Sequence, residues 1–328
     1  MISLSRMKMK SVLIALVVAQ PVPGLMQVQW DEGAEDCDKS PPRAPIQVHR
    51  FNAQTFILRQ DLCVTGEAPF LYLLVGSSKA LLVDTGNVEN PQRMPLADTV
   101  MELLPTAGAS KMPLLVSHTH RHLDHRAGDP QFANRPGVQV VPAFLEDVRK
   151  YFGFRNWPQG TAQLDLGDRI VDVIPTPGHE ATHVSFYDRS TGLFLSGDFF
   201  LPGRLLVDDI DAYLSSAHRV AEFAKTRPIS YVLGGHIEMN RAEELFPWQS
   251  SHHPDERDLA LTKGDLLSLP EVLQSFNGLY TRHGKWVLVH PKRQLMAVGA
   301  AAVLVVAGLV LLTVWYFRRR RRARLQQA

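Results

Sequence analysis

The sequence predicts a mixed α/β sheet protein with a C-terminal membrane-spanning helix, and three observations predict it. Short apolar runs of strand length recur through the middle of the chain, with helix-length segments between them. The most chemically distinctive polar residues follow directly on the ends of those runs. The C-terminus joins a long charge-free stretch to a block of arginines.

From the N-terminus, Arg6, Lys8 and Lys10 precede the apolar run Ser11 to Ala19, with Pro21 and Pro23 beyond. That is the layout of a secretory signal over residues 1–19, too short to span a bilayer. Residues 20–45, rich in Pro, Asp and Glu, read as a linker arm. Strands are predicted at Phe70 to Val75 and Ala80 to Val83, joined by the hairpin signal Gly76-Ser77-Ser78-Lys79. A helix is predicted at Asp98 to Leu104, ended by Pro105. Further strands are Leu114 to Ser117, Val138 to Val141, Ile170 to Ile174, Val184 to Tyr187, Leu193 to Leu195 and Tyr231 to Leu233. Helices are expected at Ala143 to Phe152 and Ala212 to Lys225. These elements form one domain, 46–250, and the polar residues 251–294 read as an extension packing on it.

Leu295 to Phe317 is 23 residues without a charge. At about 1.5 Å per residue it crosses a hydrocarbon core of about 30 Å. Trp315 and Tyr316 stand where an interfacial aromatic belt belongs, and Arg318 to Arg322 and Arg324 follow. The positive-inside rule makes 318–328 a cytoplasmic tail and puts the body outside the cytoplasm, on a single-pass anchor in the cell membrane. Cys37 and Cys63 permit one disulfide in an exported chain, with two free thiols as the other reading.

The apolar fraction of 45% and charged fraction of 21% are those of a globular protein. The net charge of +2 hides an asymmetry: without the six terminal arginines the rest is mildly acidic, about −4. Nothing there suggests a nucleic-acid-binding surface, so a small-molecule substrate is the expected partner beside the membrane. The sequence leaves the oligomeric state open.

Ser117-His118-Thr119-His120-Arg121-His122-Leu123-Asp124-His125 gathers four imidazoles and a carboxylate just after a strand. Clustered imidazoles would repel one another if protonated, whereas a divalent ion demands them neutral. Nitrogen donors with one or two carboxylates suit zinc, and also manganese or iron(II).

The segment resembles the His-x-His-x-Asp-His signature of the metallo-β-lactamase superfamily, in one register only: His120, His122, Asp124 and His125. His118 is left over and reads as a packing or supporting residue. Leu81-Leu82-Val83-Asp84-Thr85-Gly86 is similar to that family's first motif, Thr176-Pro177-Gly178-His179 to its third, Leu195-Ser196-Gly197-Asp198 to its fourth and Gly234-Gly235-His236 to its fifth. The resemblance spans residues 46 to about 240. It implies an αββα sandwich, two mixed sheets back to back with helices outside and two metal ions at one edge. His120, His122 and His179 would hold one ion and Asp124, His125 and His236 the other, with Asp198 shared. Asp84 and His183 would support the ligands from behind.

The resemblance further implies a metal-dependent hydrolase. A water between the two ions would be deprotonated near neutral pH, oriented by Asp124, and would attack an ester, thioester or lactone carbonyl. Aspartate at position 198 is similar to the glyoxalase-II-like thioesterases and the lactonases, and disfavours a β-lactam. A phosphodiesterase shares the fold; an iron-dependent sulfur dioxygenase and a non-catalytic metal-stabilised binding module are the readings from other classes. Specificity is expected from loops after Asp84, around 150–160 and beyond His236. Arg204 and Arg241 read equally as contacts for an anionic substrate or as surface charges. Asp208, Asp209 and Asp211 read as a solvated loop, and His252, His253 and His283 as surface residues.

Overall fold

The computed structural model describes residues 24–325 other than residue 109, so the secretory signal expected over 1–19 lies outside the described residues. A first sheet takes β1 (Ile46–Asn52), β2 (Thr55–Gln60), β3 (Phe70–Val75), β4 (Ala80–Val83), β5 (Leu114–Ser117) and β6 (Val138–Val140) in that order. The β1 to β4 pairings are antiparallel, and β5 pairs in parallel with both β4 and β6. Nine strands follow: β7 (Ala162–Asp165), β8 (Ile170–Pro175), β9 (Val184–Asp188), β10 (Leu193–Gly197), β11 (Gly203–Leu206), β12 (Tyr231–Gly234), β13 (Ala260–Leu261), β14 (Tyr280–His283) and β15 (Trp286–Val289). The second sheet runs β13-β12-β10-β9-β8-β7, and a small third sheet runs β11-β15-β14.

The two large sheets pack face to face. Ile57, Tyr72, Leu74, Leu81 and Val83 of the first meet Val171, Val173, Phe186, Leu195 and Leu233 of the second in one core. The opposite face of the first sheet, with Leu58, Leu71, Leu73 and Leu82, lies under α1 (Leu96–Leu103). Burial on both faces explains why β3 and β4 read as uninterrupted apolar runs rather than alternating ones. The outer face of the second sheet, with Phe194 and Val232, is covered by Tyr213 and Val220 of α4 (Ile210–Lys225) and by Leu266 and Leu269 of α5 (Lys263–Gln274). Two shorter helices, α2 (Leu123–Arg126) and α3 (Leu145–Phe152), lie on the loops of the first half. The result is the αββα sandwich of two mixed sheets.

Residues on either side of 46–250 complete this body. Trp30 of the N-terminal arm is buried edge-on to Phe70, with ring centroids 4.8 Å apart, and Cys37 and Cys63 form a disulfide. Arg59 of β2 forms a buried, two-pronged ion pair with Glu256 and also donates to the Asp31 carbonyl, so arm, sheet and C-terminal loop interlock. Past residue 250, β13 joins the second sheet, α5 lies on α4, and β15 pairs with β11. One long helix, α6 (Pro291–Leu325), is the last described element; it is long and apolar enough to cross a membrane, and no residue of its most apolar window is buried.

Candidate metal centre

The site lies where strands of both large sheets end. β4 delivers Asp84, β5 leads into the loop carrying His120 and His122, and α2 presents Asp124 and His125. His179 follows β8, Asp198 follows β10 and His236 follows β12. Each ligand candidate thus stands just past a rigid strand or on the short helix after one. The approach is tight: a Cβ on Gly235 would come 2.5 Å from Asp198 Oδ1 and 2.9 Å from the His125 ring, so only glycine lets the backbone pass here.

Seven side chains converge in two groups. His120, His122 and His179 form one; Asp124, His125, Asp198 and His236 form the other, and in each group the potential donor atoms lie within 4.8 Å of one another. In the first, His122 Nδ1 is 2.9 Å from His120 Nε2 and 3.2 Å from His179 Nε2. Asp198 faces both groups, with Oδ2 3.6 Å from His179 Nε2 and Oδ1 3.4 Å from His125 Nε2. Asp198 Oδ1 is buried and takes no hydrogen bond, so an acceptor is left aimed into the cluster.

The surroundings fix which nitrogens face inward. His179 Nδ1 lies 3.1 Å from the Leu206 carbonyl and His236 Nδ1 2.7 Å from that of Glu67. His125 Nδ1 is 2.8 Å from Asp84 Oδ2. All three acceptors take the Nδ1 proton and leave Nε2 facing the cluster. Asp84 also accepts from Thr119 N at 2.7 Å, pinning the loop between the ligands. His183 touches no member of either donor group through its ring nitrogens. Its Nε2 accepts from Phe199 N, its Nδ1 meets Thr176 Oγ1, and its ring stacks on His120 at 5.1 Å.

Electrostatics divide the groups. Burial, then neighbouring imidazoles, hold His120 and His183 well below the ordinary histidine range, and burial lowers His179. Burial opposes charge on His125 and His236 too, but Asp198 and Asp124 outweigh it, and His236 is pushed up to about 10. Both carboxylates are in turn driven below their ordinary range by those imidazoles, against the cost of burial. Imidazoles held neutral in one group, and carboxylates that draw positive charge toward the other, are the chemistry of a divalent-metal site, so the residues present fit such ions.

A cleft of about 360 Å³ opens on these residues, walled by Asn87, Leu123, Leu206, Trp248 and Gln249 as well as the ligand candidates. Two of the three loops expected to shape it do so, but residues 150–160 do not line it. Phe154 and Trp157 instead pack on the core between the sheets. A larger cleft, about 550 Å³, opens elsewhere between the N-terminal arm and Arg241 and Asp258, and touches none of the ligand candidates.

His118 belongs to neither group; its Nε2 is 2.8 Å from Asp129. Arg204 is neither a surface charge nor free for a substrate. It is buried, donates to the Phe246 carbonyl, and lies 4.2 Å under the Trp248 ring, because that indole and Glu238 enclose it. Arg241 is exposed and paired with Asp258. His253, expected at the surface, is buried: it stacks on Phe246 at 4.1 Å and meets Glu256 at 2.9 Å. Asp209 is no idle loop residue, since it caps α4 by accepting from Ala212 N. The Leu206 and Glu67 carbonyls that orient two histidines were not foreseen, because a backbone acceptor leaves no mark in side-chain sequence.

The structure is a strand-framed αββα sandwich with a histidine–aspartate cluster that could hold metal ions at its edge. The model of the Metallo-beta-lactamase superfamily matches residues 64–236, more than half of the chain, and the protein belongs to that superfamily. Among curated relatives, the acyl-coenzyme A thioesterase MBLAC2 of Gallus gallus is 25% identical over 60% of this chain and 82% of its own. A hydroxyacylglutathione hydrolase of Methylobacterium sp. (strain 4-46) is 34% identical over 32% of this chain and 40% of its own. Among solved structures, a metallo-beta-lactamase from Pontibacter korlensis matches with a TM-score of 0.47 at 16% identity, over 70% of this chain and all of that one.

Proposed function

We propose that the protein is a membrane-anchored, metal-dependent hydrolase of esters, thioesters or lactones, working with two divalent ions, zinc first among them. The observation that carries this reading is the position of Asp198, whose two oxygens face separate donor groups. His120, His122 and His179 would hold one ion and Asp124, His125 and His236 the other, with Asp198 shared. Seven protein donors for two ions leave coordination positions for water and substrate, unlike a closed structural site. Bound there, the ions would supply a water acidic enough to lose its proton near neutral pH and a Lewis acid toward the scissile carbonyl.

The chain's own groups do the rest. Asp124 is the most exposed ligand candidate of its group, which places its carboxylate to accept a proton from an attacking water. Asp84, Leu206 and Glu67 keep the imidazoles oriented, and the buried sandwich behind them keeps bulk water to one side. The thioesterase and hydroxyacylglutathione hydrolase relatives support carboxylic thioester chemistry, and aspartate at 198 speaks against a β-lactam substrate. The exposed α6 and the Cys37–Cys63 disulfide support an anchored domain in an oxidising compartment.

Elemental analysis of the purified full chain should find two metals per chain, and chelation should abolish hydrolysis that zinc, manganese or cobalt restores. A panel of esters, thioesters, lactones, phosphodiesters and β-lactams tests the reaction. Turnover of phosphodiesters alone, or a single metal per chain, would overturn the corresponding half of the reading.

A further inference from the structure

The geometry points to a substrate drawn from the bilayer: a neutral amphiphile whose acyl chain passes between Leu123 and Trp248 at the mouth of the cleft. This rests on the hydrolase reading above and names the substrate class for the same site.

The mouth itself is the first reason. Leu123 is 62% exposed and Trp248 58% exposed, and both border the cleft that opens on the ligand candidates. Large apolar side chains held in water beside a polar centre form a surface suited to hydrocarbon.

Charge is the second. Glu67, Asp124, Asp198 and Glu238 line the cleft, and among the described residues no Lys or Arg does. A head group rich in phosphate needs guanidinium or ammonium partners. Arg204 cannot serve, since it lies beneath the Trp248 ring and is engaged by Phe246 and Glu238. With the ions compensating Asp124 and Asp198 and no cationic side chain in the lining, the cleft gives a polyanionic leaving group no charge partner of its own and suits a neutral one.

Location is the third. Leu206 both walls the cleft and holds His179 through its carbonyl. In the parallel ladder Leu206 is opposite Val289, two residues before α6 begins at Pro291. One inter-strand spacing of about 4.8 Å and two residues of at most about 7 Å put Pro291 within roughly 12 Å of the Leu206 backbone. The junction is fixed by the Lys292–Asp208 ion pair at 2.7 Å and by the His290 amide bonding the Leu279 carbonyl. Leu279 and Tyr280 expose apolar surface beside that root. The site is thus tied a short, rigid distance from the start of the membrane helix.

Three thioesters separate the possibilities: S-lauroyl-N-acetylcysteamine, lauroyl-CoA and S-butyryl-N-acetylcysteamine, given to the metal-loaded full chain in phosphatidylcholine vesicles. The first two share chain and bond and differ in head-group charge; the first and third differ in chain length. The neutral lauroyl compound should show kcat/KM at least about tenfold above the butyryl one, since burying only two of the eight extra methylenes is enough for that, and clearly above lauroyl-CoA, whose phosphates find no cationic partner in the cleft. Trp248→Ala and Leu123→Ser should each lower the lauroyl-to-butyryl ratio by about tenfold, through KM. Lauroyl-CoA turned over as well as its neutral counterpart, or a ratio unmoved in both variants, would overturn the inference and leave the hydrolase intact. No turnover of any thioester, simple ester or lactone would overturn the hydrolase reading and this inference with it.

Discussion

Asp84 adopts φ 68°, a backbone conformation that residues other than glycine rarely take, and its contacts account for that strain. One carboxylate fixes both the Thr119 amide and the His125 imidazole, so the turn that strains it aims two neighbours at once. Asp84→Ala should weaken metal retention by about 10- to 100-fold while leaving all seven ligand candidates in place, read by titration with a competing chelator. Asp198→Ala should cost more, because it removes a donor facing both groups. His118→Ala should keep its metal and lose only the contact with Asp129. Equal metal loss in Asp198→Ala and His118→Ala would mean that the register of the cluster is wrong. The seven convergent residues were legible because imidazoles and carboxylates in short motifs announce themselves in sequence. The carbonyls of Leu206 and Glu67, and the enclosure of Arg204 by Trp248, depend on contacts between distant segments that no local pattern records.

Among elements, the strands buried on both faces were legible to within a residue or two, as β3 to β5 show. β2 was not: Arg59 and Gln60 break its hydropathy, yet both are buried, one by Glu256 and one among backbone groups around Asn87. Helix α5 was hidden by Gly264 and Pro270 within it. What starts it is a capping box, Thr262 and Asp265 each satisfying the other's backbone, with Lys285 at 2.7 Å from the same carboxylate. Burial works against the Asp265 charge, but the bonds from Lys285 and Thr262 outweigh it and hold the carboxyl below its ordinary value of 3.8. A depressed carboxyl contributes stability that is present above the unfolded-chain value and lost as pH falls through the folded one. Asp265→Ala should therefore cost about 1 kcal/mol at pH 7, and the gap should narrow as pH falls below the ordinary carboxyl value, as followed by thermal denaturation across pH.

At the scale of the whole molecule, the Arg59–Glu256 pair clasps segments almost 200 residues apart in sequence. Glu256→Ala leaves a buried guanidinium uncompensated and should destabilise the fold by about 3–5 kcal/mol in denaturant melts; a loss under 1 kcal/mol would show water reaching Arg59. The membrane reading also has a whole-molecule test: protease added to intact cells or spheroplasts should digest the domain, and protection of the domain with an exposed arginine tail would reverse the topology. The third sheet sets an order of events during synthesis. Its first strand, β11, carries the carbonyl that steadies His179, but its partner β15 arrives about 80 residues later. At roughly 5–20 residues per second the edge strand waits several seconds unpaired. β15 closes the ladder only just before α6 is made. The strand that steadies His179 is therefore paired only after every other described strand has been made.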